Sequence, residues 1–200
     1  MSRSQPSQSL LLETIKIEDG VVFNLDYHQK RCTQSRKKLY ACDDELLLKT
    51  YIQAPPKGLY RCRIIYAEKI QSVEYIPYVP KEIHTLKIIS TTLDYPYKYA
   101  RRESLNRLLS EHKDVDDVIL EKEGYLTDTT IANIAFYDKG IWYTPLTPLL
   151  HGTMRQKLID EGFLKTRNIQ KKDLGQYTQV ALMNAMIGFE ILKDINMIQK

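Results

Sequence analysis

An Asp-Gly pair between two apolar stretches constrains the start of this chain more than any other feature. Residues 11–17 read LLETIKI and residues 21–25 read VVFNL, with Glu18-Asp19-Gly20 between them. Asp-Gly favours a two-residue hairpin turn because both turn positions need a positive φ. The sequence therefore predicts an antiparallel pair of strands that begins near Leu10.

Two helices are predicted to follow this hairpin. Asp26 is placed to cap a helix that extends to about Tyr40. Asp43 or Asp44 is placed to cap a second helix, which Pro55-Pro56 would end because proline cannot continue a helix.

Paired strands and a linker then suggest where the first domain ends. Residues 59–67 alternate between polar and apolar side chains, and residues 72–79 continue as a partner strand. The segment Pro80-Lys81-Glu82 predicts a linker. We expect an N-terminal α+β domain over residues 1–80 and a C-terminal domain over residues 81–200.

The second half of the chain predicts short strands that alternate with helices. The predicted strands cover residues 84–91, 116–121, 131–137, 141–144 and 179–184, and the predicted helices begin near Ser104, Gly152 and Asp173.

Composition argues against several functional classes. The 29 basic and 25 acidic residues are scattered along the chain, which indicates a solvated surface and no nucleic-acid partner. The cysteines Cys32, Cys42 and Cys62 form no CxxC pair, so neither a disulfide framework nor a metal site is expected. The polar start and the short apolar runs predict a soluble cytoplasmic protein without a membrane partner.

Three local motifs could bind a small anionic ligand. His28 and Arg31 lie on one face of the first helix, where an arginine either points to a phosphate or is solvated. Gly152-Thr153-Met154 precedes a predicted helix, whose first N–H groups can hold an anion. Asp128 lies between two threonines, where a turn or cap is the common role.

Taken together and in order, these motifs resemble the class IV aminotransferases, the pyridoxal phosphate enzymes of fold type IV. The resemblance rests on LLETIKIEDGVVFNLDYHQKR (residues 11–31) and GYLTDTTIANIAFYDKGIWYTPLTPLLHGTMRQ (residues 124–156). It implies the α+β, two-domain fold of the D-amino acid aminotransferase-like enzymes, with a small N-terminal α/β sandwich and a C-terminal β-barrel-like domain with helices. It also implies a pyridoxal 5'-phosphate cofactor between the domains, a small-molecule substrate and a homodimer.

The resemblance assigns cofactor contacts to five residues. Arg31 matches the arginine that holds the cofactor phosphate, and Thr153 and Met154 match the two residues whose backbone amides hold its other side. Asp128 falls where the family has a glutamate against the pyridine nitrogen. Asn133 matches an asparagine that follows in the motif, for which a structural and a catalytic role are equally expected.

A second set of residues concerns the substrate. Asn184, in Met183-Asn184-Ala185-Met186, matches a segment of 4-amino-4-deoxychorismate lyases and is a sixth expected cofactor-binding residue. Arg101 and Arg102 are candidates to bind a dicarboxylic substrate, since guanidinium groups pair with carboxylates.

The lysine that the family requires is not at its expected position. The family pattern Lys-x-Leu-Asn aligns with Glu103-Ser104-Leu105-Asn106, and a carboxylate cannot form an imine with an aldehyde. Lys98 lies five residues earlier and is the candidate replacement, provided that the chain around it is irregular, because an offset of five reverses the face in a regular strand. A solvated surface role for Lys98 is equally compatible with the sequence.

Three functions follow from these residues. The first is a pyridoxal phosphate-dependent lyase similar to 4-amino-4-deoxychorismate lyase, which forms p-aminobenzoate and pyruvate for folate synthesis. The second is a branched-chain or D-amino acid aminotransferase, which the Met183–Met186 segment and Leu12 at a position that is often tyrosine in the family both disfavour. The third is a non-catalytic cofactor-binding homologue, which Glu103 supports.

Overall fold

The computed structural model describes residues 9–198, which form two compact units. The first unit contains the described residues up to Tyr78 together with Tyr97–Arg101, and the second contains Val79–Pro96 and the described residues from Arg102 onward. The chain therefore leaves the first unit at Val79, returns to it for one short segment and leaves again. The domain division at residue 80 did not include this return and stays a prediction.

The first unit contains a four-stranded antiparallel sheet. Its strands are β1 (Leu11–Glu18), β2 (Val21–Val22), β3 (Leu59–Tyr66) and β4 (Ile70–Pro77), in the order β2-β1-β3-β4. Asp19 and Gly20 have φ values of 46° and 81°, as the tight turn between β1 and β2 requires. The hairpin and the β3–β4 pair are confirmed.

Helix α1 (Leu25–Tyr40) belongs to the same unit. Its buried residues, His28, Cys32, Ser35 and Arg36, recur at helical spacing, which gives the helix one inward face. The core of the unit contains the buried residues Leu11, Ile15, Ile17, Cys32, Leu46, Leu48, Cys62, Ile64 and Tyr66.

Two details of the predicted helices are wrong. Asn24, in a left-handed conformation, precedes α1, and Asp26 lies in the first turn. The helix predicted after residue 43 is only a 3₁₀ turn at Leu48–Tyr51. Asp44 does not cap a helix because its carboxylate accepts hydrogen bonds from the buried Arg36 over 2.9 and 3.0 Å.

The second unit contains a nine-stranded sheet and two α-helices. Its elements are β5 (Thr85–Ser90), α2 (Glu103–Ser110), β6 (Asp117–Lys122), β7 (Tyr125–Thr129), β8 (Asn133–Asp138), β9 (Ile141–Pro145), α3 (Thr153–Asp160), β10 (Leu164–Arg167), a 3₁₀ helix at Lys171–Gln176, β11 (Gln179–Asn184), β12 (Gly188–Ile191) and β13 (Asn196–Ile198). The strand order is β10-β9-β8-β7-β6-β5-β13, and β11 pairs with both β8 and β12.

Side chains from both faces of this sheet are buried. Along β8, Ile134 and Phe136 belong to one apolar cluster, whereas Ala135 belongs to another that includes Leu158 of α3. Alternation of side chains along a strand explains this division. The two sheets with few helices confirm the α+β class.

Two further observations concern the whole described chain. Across residues 9–198, no helix is long and apolar enough to cross a membrane. Cys32, Cys42 and Cys62 are free thiols.

Candidate functional site

Lys98 lies on a short stretch that pairs with β1. Residues 91–102 belong to no helix or regular strand, and within them Tyr99 forms an isolated antiparallel bridge to Leu11. The Leu12 N–H donates to the Lys98 carbonyl over 2.8 Å. An irregular connection was the condition under which Lys98 could serve as the reactive lysine, and the structure meets it.

Lys98 is half-buried and lies in a tight turn of the first unit. Its neighbours Tyr97 and Tyr99 both pack against the core of that unit, and the Tyr99 N–H donates to the Tyr97 carbonyl over 2.9 Å across the turn. Burial lowers the pKa of His28, and the nearby positive charge of Lys98 lowers it further.

Glu103 has different surroundings. It is the first residue of α2, it is exposed, and it belongs to the second unit. Lys98, by contrast, adjoins β1 in the first unit. The two residues are therefore not alternatives along one regular strand.

A buried carboxylate, Glu13, holds the side chains of both His28 and Arg31. Glu13 Oε1 accepts a hydrogen bond from Arg31 Nε over 2.9 Å, and Oε2 accepts one from Arg31 Nη2 over 2.6 Å. The same Oε2 lies 2.6 Å from His28 Nδ1. Burial raises the pKa of Glu13, but the charge of Arg31 and the hydrogen bonds from both partners outweigh it, so that the pKa is about 2. Glu13 is therefore an anion at neutral pH.

The ion pair with Glu13 limits how Arg31 can bind an anion. The guanidinium is 15% exposed, and two parallel hydrogen bonds to one carboxylate fix its orientation. Glu13 also offsets its charge, so Arg31 would add oriented N–H groups to an anion site more than net positive charge. The phosphate contact of Arg31 stays a prediction.

Glu13 is absent from the sequence prediction, although a signal for it exists. Leu11, Glu13 and Ile15 alternate on one face of β1, so a strand that buries the two apolar residues buries the carboxylate with them. A buried carboxylate needs a charged or hydrogen-bonding partner. His28 and Arg31, on one helix face, are such partners.

Asp128 is a buried carboxylate in the second unit, with a donor on each oxygen. It lies on β7, is 4% exposed and pairs across the sheet with Asn133 of β8. Asn133 Nδ2 donates to Oδ1 over 2.6 Å, and the Leu150 N–H donates to Oδ2 over 2.8 Å. Burial raises the pKa of Asp128 to about 6, against these hydrogen bonds and the charge of Arg155, which lower it. Asp128 is mainly ionised at neutral pH.

Asp128 should give the second unit a specific pH dependence of stability. Its pKa of about 6 in the folded protein lies above the ordinary value of 3.8. The folded protein therefore binds the Asp128 proton more tightly than the unfolded chain does. The stabilisation of the fold by this proton is complete below pH 3.8 and is lost as the pH rises through about 6. Relative to Asp128→Asn, the free energy of unfolding of the natural protein should fall by about 3 kcal/mol between about pH 4 and pH 7.

This dependence can be measured by urea unfolding. Trp142, the single tryptophan, lies in β9 of the same unit, so its fluorescence follows the relevant transition. A difference between the two proteins that does not change with pH would contradict the prediction.

The N-terminus of α3 follows closely after Leu150, whose N–H donates to Asp128. Gly152 is the N-cap and Thr153 the first helical residue, as predicted. Because the Gln156 N–H donates to the Gly152 carbonyl over 3.0 Å, the N–H groups of Thr153 and Met154 precede the helix's own hydrogen-bond pattern. Such groups bind anions, and the phosphate contact of both residues stays a prediction.

Arg155 is a buried charge that the sequence prediction did not include. It is 3% exposed, and its Nη2 donates to the Pro145 carbonyl over 2.8 Å. Burial lowers its pKa, whereas the charge of Asp128 raises it. Arg155 is thus a counter-charge for Asp128. Its position in HGTMR does not show that the side chain turns inward, so its burial could hardly be predicted.

Asn184 supports a turn. Its Oδ1 accepts hydrogen bonds from the N–H groups of Met186 and Ile187 over 2.8 and 3.1 Å, and its Nδ2 donates to the Ile131 carbonyl over 3.3 Å. These bonds give it a structural role at the end of β11. A direct contact with a cofactor stays a prediction.

The two candidate substrate-binding arginines belong to different units. Arg101 is exposed in the first unit. Arg102, in the second, is half-buried, and its Nη2 donates to the Thr130 carbonyl over 2.6 Å. Their role toward a substrate stays a prediction.

The profile of the family described as amino-transferase class IV matches residues 10–193. The chain belongs to the class IV aminotransferases. The family membership that the two motifs indicated is confirmed.

Related proteins agree with this membership. A crystal structure of a "putative 4-amino-4-deoxychorismate lyase" from Haemophilus somnus 129pt is 34% identical, with a TM-score of 0.84 over 92% of this chain and 100% of that one. A Schizosaccharomyces pombe protein named "Putative aminodeoxychorismate lyase" is 28% identical over 89% of this chain and 86% of its own length. A hypothetical aminotransferase from Mycobacterium tuberculosis in a PLP-bound form shares the fold, with a TM-score of 0.77 at 17% identity over 98% of this chain and 88% of that one.

Each unit of this class IV aminotransferase, taken by itself, has groups of a kind that binds part of a phosphorylated pyridine aldehyde. Lys98 is a half-buried primary amine. Asp128 offers a buried carboxylate to a ring N–H, and a carboxylate can accept more hydrogen bonds than the two it has here. The start of α3 offers N–H groups to a phosphate.

Proposed function

We propose that this class IV aminotransferase binds pyridoxal 5'-phosphate and uses Lys98 as the residue that bonds to it covalently and transfers protons. The placement of Lys98 carries the proposal, because its carbonyl accepts the Leu12 N–H of β1 and its charge acts on His28. A primary amine is the side-chain group that bonds to a carbonyl carbon in this way.

Both units would supply groups that bind the cofactor phosphate, and the second would also supply the group that binds the ring. In the first unit, Arg31 would present its guanidinium to the phosphate in the orientation that Glu13 fixes. In the second unit, the N–H groups of Thr153 and Met154 would bind the phosphate, since a helix N-terminus favours an anion. Asp128 would accept a hydrogen bond from the ring nitrogen.

The ionisation of Asp128 matters for this role. When bound, the cofactor supplies an electron sink for negative charge that develops on the substrate. With a pKa of about 6, Asp128 is a carboxylate at neutral pH. It would therefore stabilise a proton on the ring nitrogen of the cofactor. The counter-charge of Arg155 supports the ionised form.

We propose that the reaction converts 4-amino-4-deoxychorismate into p-aminobenzoate and pyruvate, for folate synthesis. The names of the H. somnus and S. pombe relatives support this choice, as does the resemblance of Met183–Met186 to the lyases. Lys98 would move the protons at its Nζ, while Arg101 and Arg102 would bind the carboxylates of the substrate. The active form would be a cytoplasmic homodimer.

Borohydride trapping tests the assignment of Lys98. The purified protein is incubated with pyridoxal phosphate, reduced with borohydride and digested, and the labelled peptide is mapped by mass spectrometry. A pyridoxyl group on Lys98 is the expected result. A label on another lysine, or cofactor binding without any label, would contradict the assignment.

The substrate is tested separately. Release of pyruvate from 4-amino-4-deoxychorismate is expected. Glutamate formation from 2-oxoglutarate in an amino-acid screen, without pyruvate release, would indicate transamination instead.

A further inference from the structure

We infer that Asn133 is a positioning residue that locks the carboxylate of Asp128 to the backbone segment preceding α3, and that Gly152 is the residue that permits this lock. The inference rests on the proposed function, because it concerns the two contacts that the second unit would make with the cofactor. It also gives Asn133 a role that needs no contact with the cofactor.

Two hydrogen bonds from one amide form the lock. Asn133 Nδ2 donates to Asp128 Oδ1 over 2.6 Å and to the Leu150 carbonyl over 2.8 Å. Both partners are acceptors, so the amide nitrogen and not the amide oxygen has to face them. The Leu150 N–H closes the arrangement by donating to Asp128 Oδ2 over 2.8 Å. Asp128 and Leu150 are thus joined both directly and through Asn133.

Gly152 makes the close approach of this asparagine possible. A Cβ atom at position 152 would lie 2.0 Å from Asn133 Oδ1 and 3.1 Å from its Cγ. Gly152 has a φ of −70°, which other residues adopt readily, so the need for glycine is one of space. The amide oxygen of Asn133 therefore packs against the N-cap of α3 while its nitrogen holds Asp128.

The arrangement sets the distance between two groups that would bind opposite parts of one ligand. Asp128 would meet the ring nitrogen, and the first N–H groups of α3 would meet the phosphate. Asn133 is 6% exposed and lies between these groups, at the start of β8. Loss of the lock should therefore weaken a ligand that spans both groups, without unfolding the sheet.

The first test measures the lock without any cofactor. In Asn133→Ala, hydrogen exchange of the Leu150 amide should become at least about 10-fold faster, because its acceptor is no longer held. The amides of β11 should keep their protection. Equal acceleration throughout the unit would show a general loss of stability and would overturn the inference, as would unchanged exchange at Leu150.

The second test measures the affinity for pyridoxal phosphate. Asn133→Ala should raise the Kd about 10-fold or more, since a hydrogen bond to a charged group is lost. Asn133→Asp keeps the shape but replaces the donor with an acceptor, so it should bind no better than Asn133→Ala. The control is Asn196→Ala, an exposed position on β13, which should keep the natural Kd. Natural affinity in Asn133→Asp would overturn the inference.

A double-variant cycle tests the role of Gly152. Gly152→Ala should raise the Kd in the natural background but add little in Asn133→Ala, because the side chain that it collides with is gone. An equal increase in both backgrounds would overturn the inference. Failure to label Lys98 would overturn the proposed function alone, since the exchange test needs no cofactor.

Discussion

Lys98→Ala is expected to reduce pyruvate release from 4-amino-4-deoxychorismate by roughly 10³-fold or more, because it removes the group that bonds to the cofactor and transfers protons. The fold should persist, since Lys98 is half-buried and its backbone bond to Leu12 uses only the carbonyl. Far-UV circular dichroism and the unfolding midpoint check this point. Borohydride should no longer label the protein.

Two controls make this result specific. Lys16→Ala removes a lysine from β1 that forms an ion pair with Glu18, and activity should be retained. Glu103→Lys in the Lys98→Ala background supplies a lysine at the family position, but Glu103 is exposed at the start of α2, so labelling should not return. Full activity in Lys98→Ala would end the assignment.

The correctly predicted elements are those with local signals. The β1–β2 hairpin follows from Asp19-Gly20, whose two positive φ values are a property of the turn itself. The start of α3 follows from Gly152 before a helical run. Such signals act between residues that are near in sequence, so they can be recognised without knowledge of the tertiary structure.

Three of the four missed strands, β7, β10 and β13, lack such signals. β7 contains the polar run Thr127-Asp128-Thr129, β10 has four residues, and β13 has three. β10 and β13 form parallel pairs with β9 and β5, and parallel strands receive their hydrogen bonds from segments that are distant in sequence. Their own side chains therefore predict them poorly.

The residues of the candidate site also differ in whether the sequence alone could identify them. The resemblance to the family identified Asp128 and the start of α3, and the structure gives each of them a suitable environment. It did not identify Glu13, although the alternation along β1 signals it, nor Arg155, whose need for a partner is visible only when Asp128 is placed. It also aligned Glu103 with the family lysine. The return of Tyr97–Arg101 to the first unit, which separates Lys98 from Glu103, is a tertiary feature that an alignment does not contain.

Glu13→Gln is expected to destabilise the first unit strongly. It leaves Arg31 and His28 next to a neutral group, and both side chains are largely buried. Removing one partner of a buried ion pair typically costs about 3–5 kcal/mol, a large part of the roughly 5–15 kcal/mol that holds a domain folded. Urea unfolding followed by far-UV circular dichroism should show this loss, because Trp142 lies in the other unit.

Glu18→Gln provides the matched control at the other end of β1. Glu18 is 44% exposed and pairs with Lys16 on the surface, so the change should stay within about 0.5 kcal/mol. Arg31→Met should cost less in the Glu13→Gln background than alone, since the unpaired charge is then removed. Additive losses would show that Glu13 and Arg31 do not stabilise each other.

The pH dependence separates this ionic contribution from packing. The pKa of Glu13 is lowered from 4.5 to about 2 in the folded protein, so its stabilisation is complete above pH 4.5 and is lost as the pH falls through about 2. The difference between the natural protein and Glu13→Gln should therefore be largest at neutral pH and shrink below pH 4.5. Asp128 changes stability in the opposite direction, but it is present in both proteins and cancels in the difference. A gap that stays constant down to about pH 2 would mean that Glu13 acts through its shape and not through its charge.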